Sequence, residues 1–136
     1  MDAKLTTLFD AYEKAYSELD LETTATFFAD TFMSAGPKGT IAQSKKEFLS
    51  KAKEATDFYR GVGFEYGKIL STQEIPLGDH HTVVIVHWGV KFRKTGYKLI
   101  EFDVSYIVDT TGPKPKIILF VAHQDEQEAM KKLSLL

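Results

Sequence analysis

Four side chains stand out as candidates for chemistry: Tyr12, His87, Asp103 and His123. A histidine paired with a carboxylate can move protons near neutral pH, as a dehydratase-like site requires. A phenol held away from water can polarise a carbonyl oxygen and steady the charge that develops on it. Each group also has a structural reading: a core tyrosine with a local partner, surface histidines, an exposed carboxylate on a sheet face. His80 and His81 follow Asp79, but adjacent side chains point apart, so no metal site is expected. The chain has no cysteine, which removes disulfides, thiol catalysis and cysteine–zinc centres. Gly36 to Gly39 lacks the lysine–serine ending and following helix of a phosphate loop, so it reads as a turn. Neither a nucleophile elbow nor an HExxH helix occurs, and no cofactor is expected.

The elements that must position these groups fall into helices first and strands after. Asp2 can cap a first helix with Leu5, Leu8, Phe9, Tyr12, Ala15, Tyr16 and Leu19 on one stripe. Asp20 ends it and caps a short second helix, with Thr24, Phe27 and Phe28 facing inward. Thr31 to Ala35 reads as a strand leading into a hairpin turn at Gly36-Pro37-Lys38-Gly39. Ser44 with Glu47 forms a capping box. It opens a third helix with Phe48, Ala52, Ala55, Thr56 and Tyr59 inside, stopped by Gly61 and Gly63.

After Gly63 the pattern is strand. The expected strands run from Phe64 to Ile75, ended by Pro76, then Thr82 to Arg93, Tyr97 to Val108 and Lys116 to His123. A helix from Asp125 to Leu133 is expected to close the chain. Alternation puts Val84, Val86, Trp88, Val90 and Phe92 on one face. Ile100, Phe102, Val104, Tyr106 and Val108 join them from the next strand. The opposite face carries Val83, Ile85, His87 and Lys91, then Leu99, Glu101, Asp103, Ser105 and Ile107. Half-apolar and without helices to cover it, that face is a candidate for self-association.

Size and charge exclude several classes. At 136 residues the chain fits one domain, 1–136, with a core large enough to fold without metal. The net charge is −2, and only Arg60 and Arg93 of the 17 cationic residues are arginine, so no nucleic-acid footprint is present. The longest apolar run, Val83 to Val86, is far short of a membrane span. With no apolar leader-like segment before Leu8, the expected location is the cytoplasm.

Tyr12, Asp20-Leu21-Glu22, Phe27-Phe28-Ala29-Asp30, Gly36-Pro37, the hairpin around Trp88 and Tyr106, and the closing Ile117 to His123 strand form a pattern. Together they resemble the nuclear transport factor 2-like superfamily, which includes SnoaL-like polyketide cyclases and ketosteroid isomerases. The resemblance covers nearly the whole chain. It implies an α+β, cystatin-like cone, with three N-terminal helices on a curved antiparallel sheet and a pocket between them. It also implies a homodimer packed through the sheet. Tyr12, by its offset from Asp20, matches the tyrosine that ketosteroid isomerases use as an oxyanion donor. Asp103 lies near their second oxyanion acid. Their general base falls where this chain has Gly36, which cannot abstract a proton, so steroid-isomerase chemistry is not expected.

The leading expectation is a module that binds a small apolar ligand between sheet and helices. Tyr12, Tyr16, Phe28, Phe32, Tyr59, Trp88, Phe102 and Tyr106 would line the pocket. Trp88 could equally be a sealed core residue, and its indole N–H needs a partner in either case. The alternatives are an isomerase, cyclase or dehydratase acting on a hydrophobic carbonyl or polyketide-like substrate, and a protein-interaction module.

Overall fold

A computed structural model describes residues 1–125, 128, 130 and 131. Asp2 caps α1 (Ala3–Ser17) by accepting the Lys4 N–H at 2.7 Å, and Leu5, Leu8, Phe9, Tyr12 and Ala15 form its buried stripe. Asp20 caps α2 (Leu21–Ala25) through the Thr23 N–H and hydroxyl. That helix is shorter than expected. Phe27 and Phe28 lie beyond it, and Phe28 opens β1 (Phe28–Gly36), which turns back into β2 (Gly39–Ser44).

The capping box at Ser44 and Glu47 forms as expected. The third helix then splits in two, α3 (Lys45–Ser50) and α4 (Ala52–Gly61), with Lys51 ending one and starting the next. Among the described residues that precede β3, there are therefore four helices rather than three.

Four strands follow: β3 (Phe64–Leu77), β4 (His81–Phe92), β5 (Ile100–Asp109) and β6 (Lys116–Ala122). Pro76 does not end β3. The sheet order is β2-β1-β6-β5-β4-β3, so β3 is an edge strand, where a proline costs no ladder hydrogen bond. Arg93–Thr95 forms a 3₁₀ turn, and β5 starts at Ile100 instead of Tyr97. The sheet is curved, unclosed and antiparallel except between β1 and β6, which run parallel. The helix expected over Asp125–Leu133 falls largely outside the described residues. Within it Met130 is buried against Val90, Phe92 and Ile100.

Strand parity matches expectation throughout β4 and β5. Val84, Val86, Val90, Phe92 and Val108 are fully buried, and Trp88, Ile100, Val104 and Tyr106 are nearly so. The continuous β4–β5 register, from His81 opposite Asp109 to Val90 opposite Ile100, leaves no bulge to invert a face. Helix α1 packs on the inner face, and its approach to β3 depends on Gly67. A Cβ there would lie 2.3 Å from the Tyr16 ring.

Candidate functional site

The cone interior is where the ligand-lining residues were expected, and among the described residues most of them pack there on one another. Tyr12, Phe28, Phe32, Trp88 and Tyr106 are buried, Tyr16 and Phe102 are half-buried and packed against them, and half-buried Tyr59 packs instead on the cluster of Val90, Phe92 and Ile100. The rings touch one another: Tyr12 lies 5.8 Å from Trp88 and 5.5 Å from Tyr106, and Phe28 lies 4.4 Å from Phe32, centroid to centroid. The Trp88 indole N–H donates to the Tyr106 hydroxyl at 3.1 Å. The partner that Trp88 requires is thus another core side chain. Burial raises the Tyr12 pKa to about 12, against a smaller lowering by its hydrogen bond with Tyr106. Tyr12 therefore stays a neutral phenol, engaged inside the core.

The three other candidates lie on the opposite, open face, so the sheet separates them from Tyr12. His87 donates from Nδ1 to Asp103 at 2.8 Å and from Nε2 to Glu101 at 2.7 Å. Only the imidazolium can donate from both nitrogens. The Glu101 and then Asp103 hydrogen bonds raise the His87 pKa, and the His87 bond in turn lowers that of Asp103. The Asp103 backbone N–H donates to Gln124 Oε1 at 2.7 Å, and Ser105 Oγ lies 2.6 Å from His123 Nε2. His123 is also tied to the row by its backbone N–H on the Asp103 carbonyl. This row can hold or exchange a proton, but it stands on an open sheet face where, among the described residues, nothing encloses a substrate. Among the described residues no group of three potential metal-binding side chains is present. Gly36 ends β1 against Ala122, so the position matched above to the ketosteroid isomerases' base carries no titratable group.

A cleft of about 510 Å³ lies elsewhere, at the end of the cone. Its walls are the outer side of α1 from Ala3 to Ala11, the α2–β1 junction at Thr26 and Phe27, and the β5–β6 turn from Pro113 to Lys116. Ala3, Thr7 and Ala11 recur every fourth residue, so α1 shows this side small residues while Leu8 reaches toward the core. Phe27 closes the floor, 6.0 Å from the Tyr12 ring. Lys4, Lys114 and Lys116 belong to the lining, and the Lys116 ammonium donates to the Thr26 carbonyl at 2.8 Å. None of the eight expected ligand residues lines this cleft. The signal that could have found it was a proline-framed turn carrying Lys114 and Lys116, together with the small-residue side of α1. Two other cavities lie at the β1–β2 turn, where Lys38, Gln124 and Asp125 join the lining, and between α2 and α4, where Asp20, Glu22, Lys53, Asp57 and Arg60 mix both charges.

The family model described as NTF2-like protein (DUF6841) matches residues 3–125. No curated protein matches the chain. Several solved structures share the fold. One is an NTF2-like protein of unknown function from Shewanella oneidensis MR-1, 14% identical, with a TM-score of 0.73 over 89% of this chain and 97% of that one. The beta subunit of the benzoate 1,2-dioxygenase from Burkholderia mallei is 8% identical, with a TM-score of 0.69 over 94% and 93%. A protein provisionally named a polyketide cyclase, from Xanthomonas campestris pv. campestris, is 12% identical, with a TM-score of 0.60 over 96% of each chain. At these identities the likeness is one of fold.

Proposed function

Because this chain belongs to the NTF2-like family (DUF6841), we propose that it is a small-molecule-binding protein. Its ligand seat is the cleft between α1 and the Pro113–Lys116 turn. The observation that carries this reading is the cleft itself, about 510 Å³ and lined largely by apolar side chains. Small-ligand sites span roughly 300–1,000 Å³ and are built this way. The ring-on-ring filling of the cone interior argues for this seat over the one beside Trp88. The proposal includes a homodimer through the open sheet face and a cytoplasmic location. The absence of cysteine suits that compartment.

The test is amide and indole chemical-shift mapping of the whole chain against a panel of aromatic and aliphatic compounds. Saturable shifts are expected at Leu8, Ala11 and Phe27, with the Trp88 indole unmoved. Shifts centred on the Trp88 indole and Tyr106 would place the ligand inside the cone and overturn this seat.

A second reading, an isomerase, cyclase or dehydratase for a hydrophobic carbonyl, is favoured by one observation: His87 is already paired with Asp103 at 2.8 Å. The open surroundings of that pair argue against it. Turnover of a ketone that is lost in His87→Gln and in Asp103→Asn would establish it.

A further inference from the structure

We infer that the cleft takes an amphiphilic monocarboxylate, with its apolar body on Leu8, Ala11 and Phe27 and its carboxylate among Lys4, Lys114 and Lys116. This inference rests on the reading of the cleft as the ligand seat and adds the chemistry of the ligand.

The charge within the cleft lining is one-sided. All three titratable side chains in its lining are lysines. The lysine ion pairs among the described residues are made by Lys38, Lys45, Lys53 and Lys91, and not by these three. The nearby acid, Asp30, is engaged by Lys45 at 3.6 Å. Among the described residues, the hydrogen-bond partner of the Lys116 ammonium is a neutral carbonyl, that of Thr26. Its pKa is lowered, first by burial and then by the cations of Lys45 and Lys114, with Asp30 giving a smaller opposing effect. A carboxylate is the group that relieves this cluster. It is small enough for the rim and leaves the apolar floor to a hydrocarbon body. The rim offers flexible ammonium groups without an arginine fork, so it meets an anionic head by point charge rather than by bidentate hydrogen bonding.

The test uses the full chain, isothermal titration and two probes of one shape, 2-naphthoate and 2-naphthylmethanol. One charge-assisted contact is worth about ten-fold in affinity. The wild type should therefore bind the acid at least about ten-fold more tightly than the alcohol. Lys4→Gln combined with Lys114→Gln, both at exposed positions, should bring the two affinities together. Ala11→Phe should fill the cleft and abolish both. Equal affinities in the wild type, with loss in Ala11→Phe, would overturn the carboxylate inference and leave the cleft as an apolar seat. Acid binding that survives Ala11→Phe unchanged, or no binding of either probe, would remove the cleft as a ligand seat and the inference with it.

Discussion

His87 shows how little a residue's type says before its neighbours are placed. The ring is held between two carboxylates, Glu101 first and Asp103 second, and its pKa rises above the ordinary 6.5. Folding therefore favours the protonated form. The stability it contributes is full below about pH 6.5 and is lost as pH rises through the folded value. Asp103 has the opposite sign. Its pKa is held below the ordinary 3.8, chiefly by the His87 hydrogen bond, so its share is present above about pH 4 and lost in stronger acid. The imidazole is about one-third exposed, and solvent screens the pair, so the effect is small. Urea unfolding at fixed protein concentration, from pH 5 to 9, should show wild type losing stability relative to His87→Gln as pH rises. Parallel curves would mean that the two carboxylates do not hold the imidazolium. The His87–Asp103 pairing was legible as a possibility, because adjacent antiparallel strands put same-face residues opposite one another. Glu101 as a second partner was not, because a diagonal contact depends on side-chain reach.

At the level of elements, close contact between α1 and β3 turns on a missing side chain. A Cβ on Gly67 would sit 2.3 Å from Tyr16 Cε1, and the Gly67 N–H donates to Ser17 Oγ at 3.1 Å while Ser17 donates back to the Gly67 carbonyl. One turn earlier, Glu13 accepts the Ile69 N–H at 2.5 Å, beside the irregularity in β3 between Ile69 and Ser71. Gly67→Ala should therefore force helix and strand apart and cost about 1–3 kcal/mol. Gly61→Ala provides the opposite sign. Its Cβ meets nothing within 4 Å at the end of α4, so the same substitution should be neutral or stabilise by up to about 1 kcal/mol. Equal urea midpoints for the two variants would show that the α1–β3 contact is not close-packed. Strand parity in β4 and β5 was readable because one face is buried and alternation has a single solution there. The helix break at Lys51 was not, because no proline or glycine marks it between Ser44 and Arg60. The walls of the cleft left a signal in the turn and in α1, but their meeting could not be read, since it joins residues about a hundred positions apart and depends on where β6 enters the sheet.

For the whole molecule, the uncovered sheet face carries a pattern visible only when the strands are in register. Ala42, Met33, Leu119, Ile107, Val83 and Ile75 stand directly opposite one another across all six strands. At about 4.8 Å per strand this apolar row is about 24 Å long. The next row holds Thr40, Ala35, Val121, Ser105, Ile85 and Gln73, and beyond it lies the polar set of His87 and Asp103. Met33, Ile75 and Val121 remain exposed. An apolar stripe bordered on one side by charged groups has the anatomy of an interface, with a dry centre and a polar rim. A standard interface takes roughly 800 Å² from each partner, more than the two rows alone supply, so the His87 row would belong to the rim. Light scattering at micromolar concentration should report a dimer. A twofold contact repeats every residue, so Ile107→Glu at the centre of the row would place two unpaired charges in the dry region and should give a folded monomer. Met33→Glu, on a side chain already exposed, should do the same with less risk to the fold. A wild type that scatters as a monomer, or a dimer unmoved by both variants, would take this face out of the assembly.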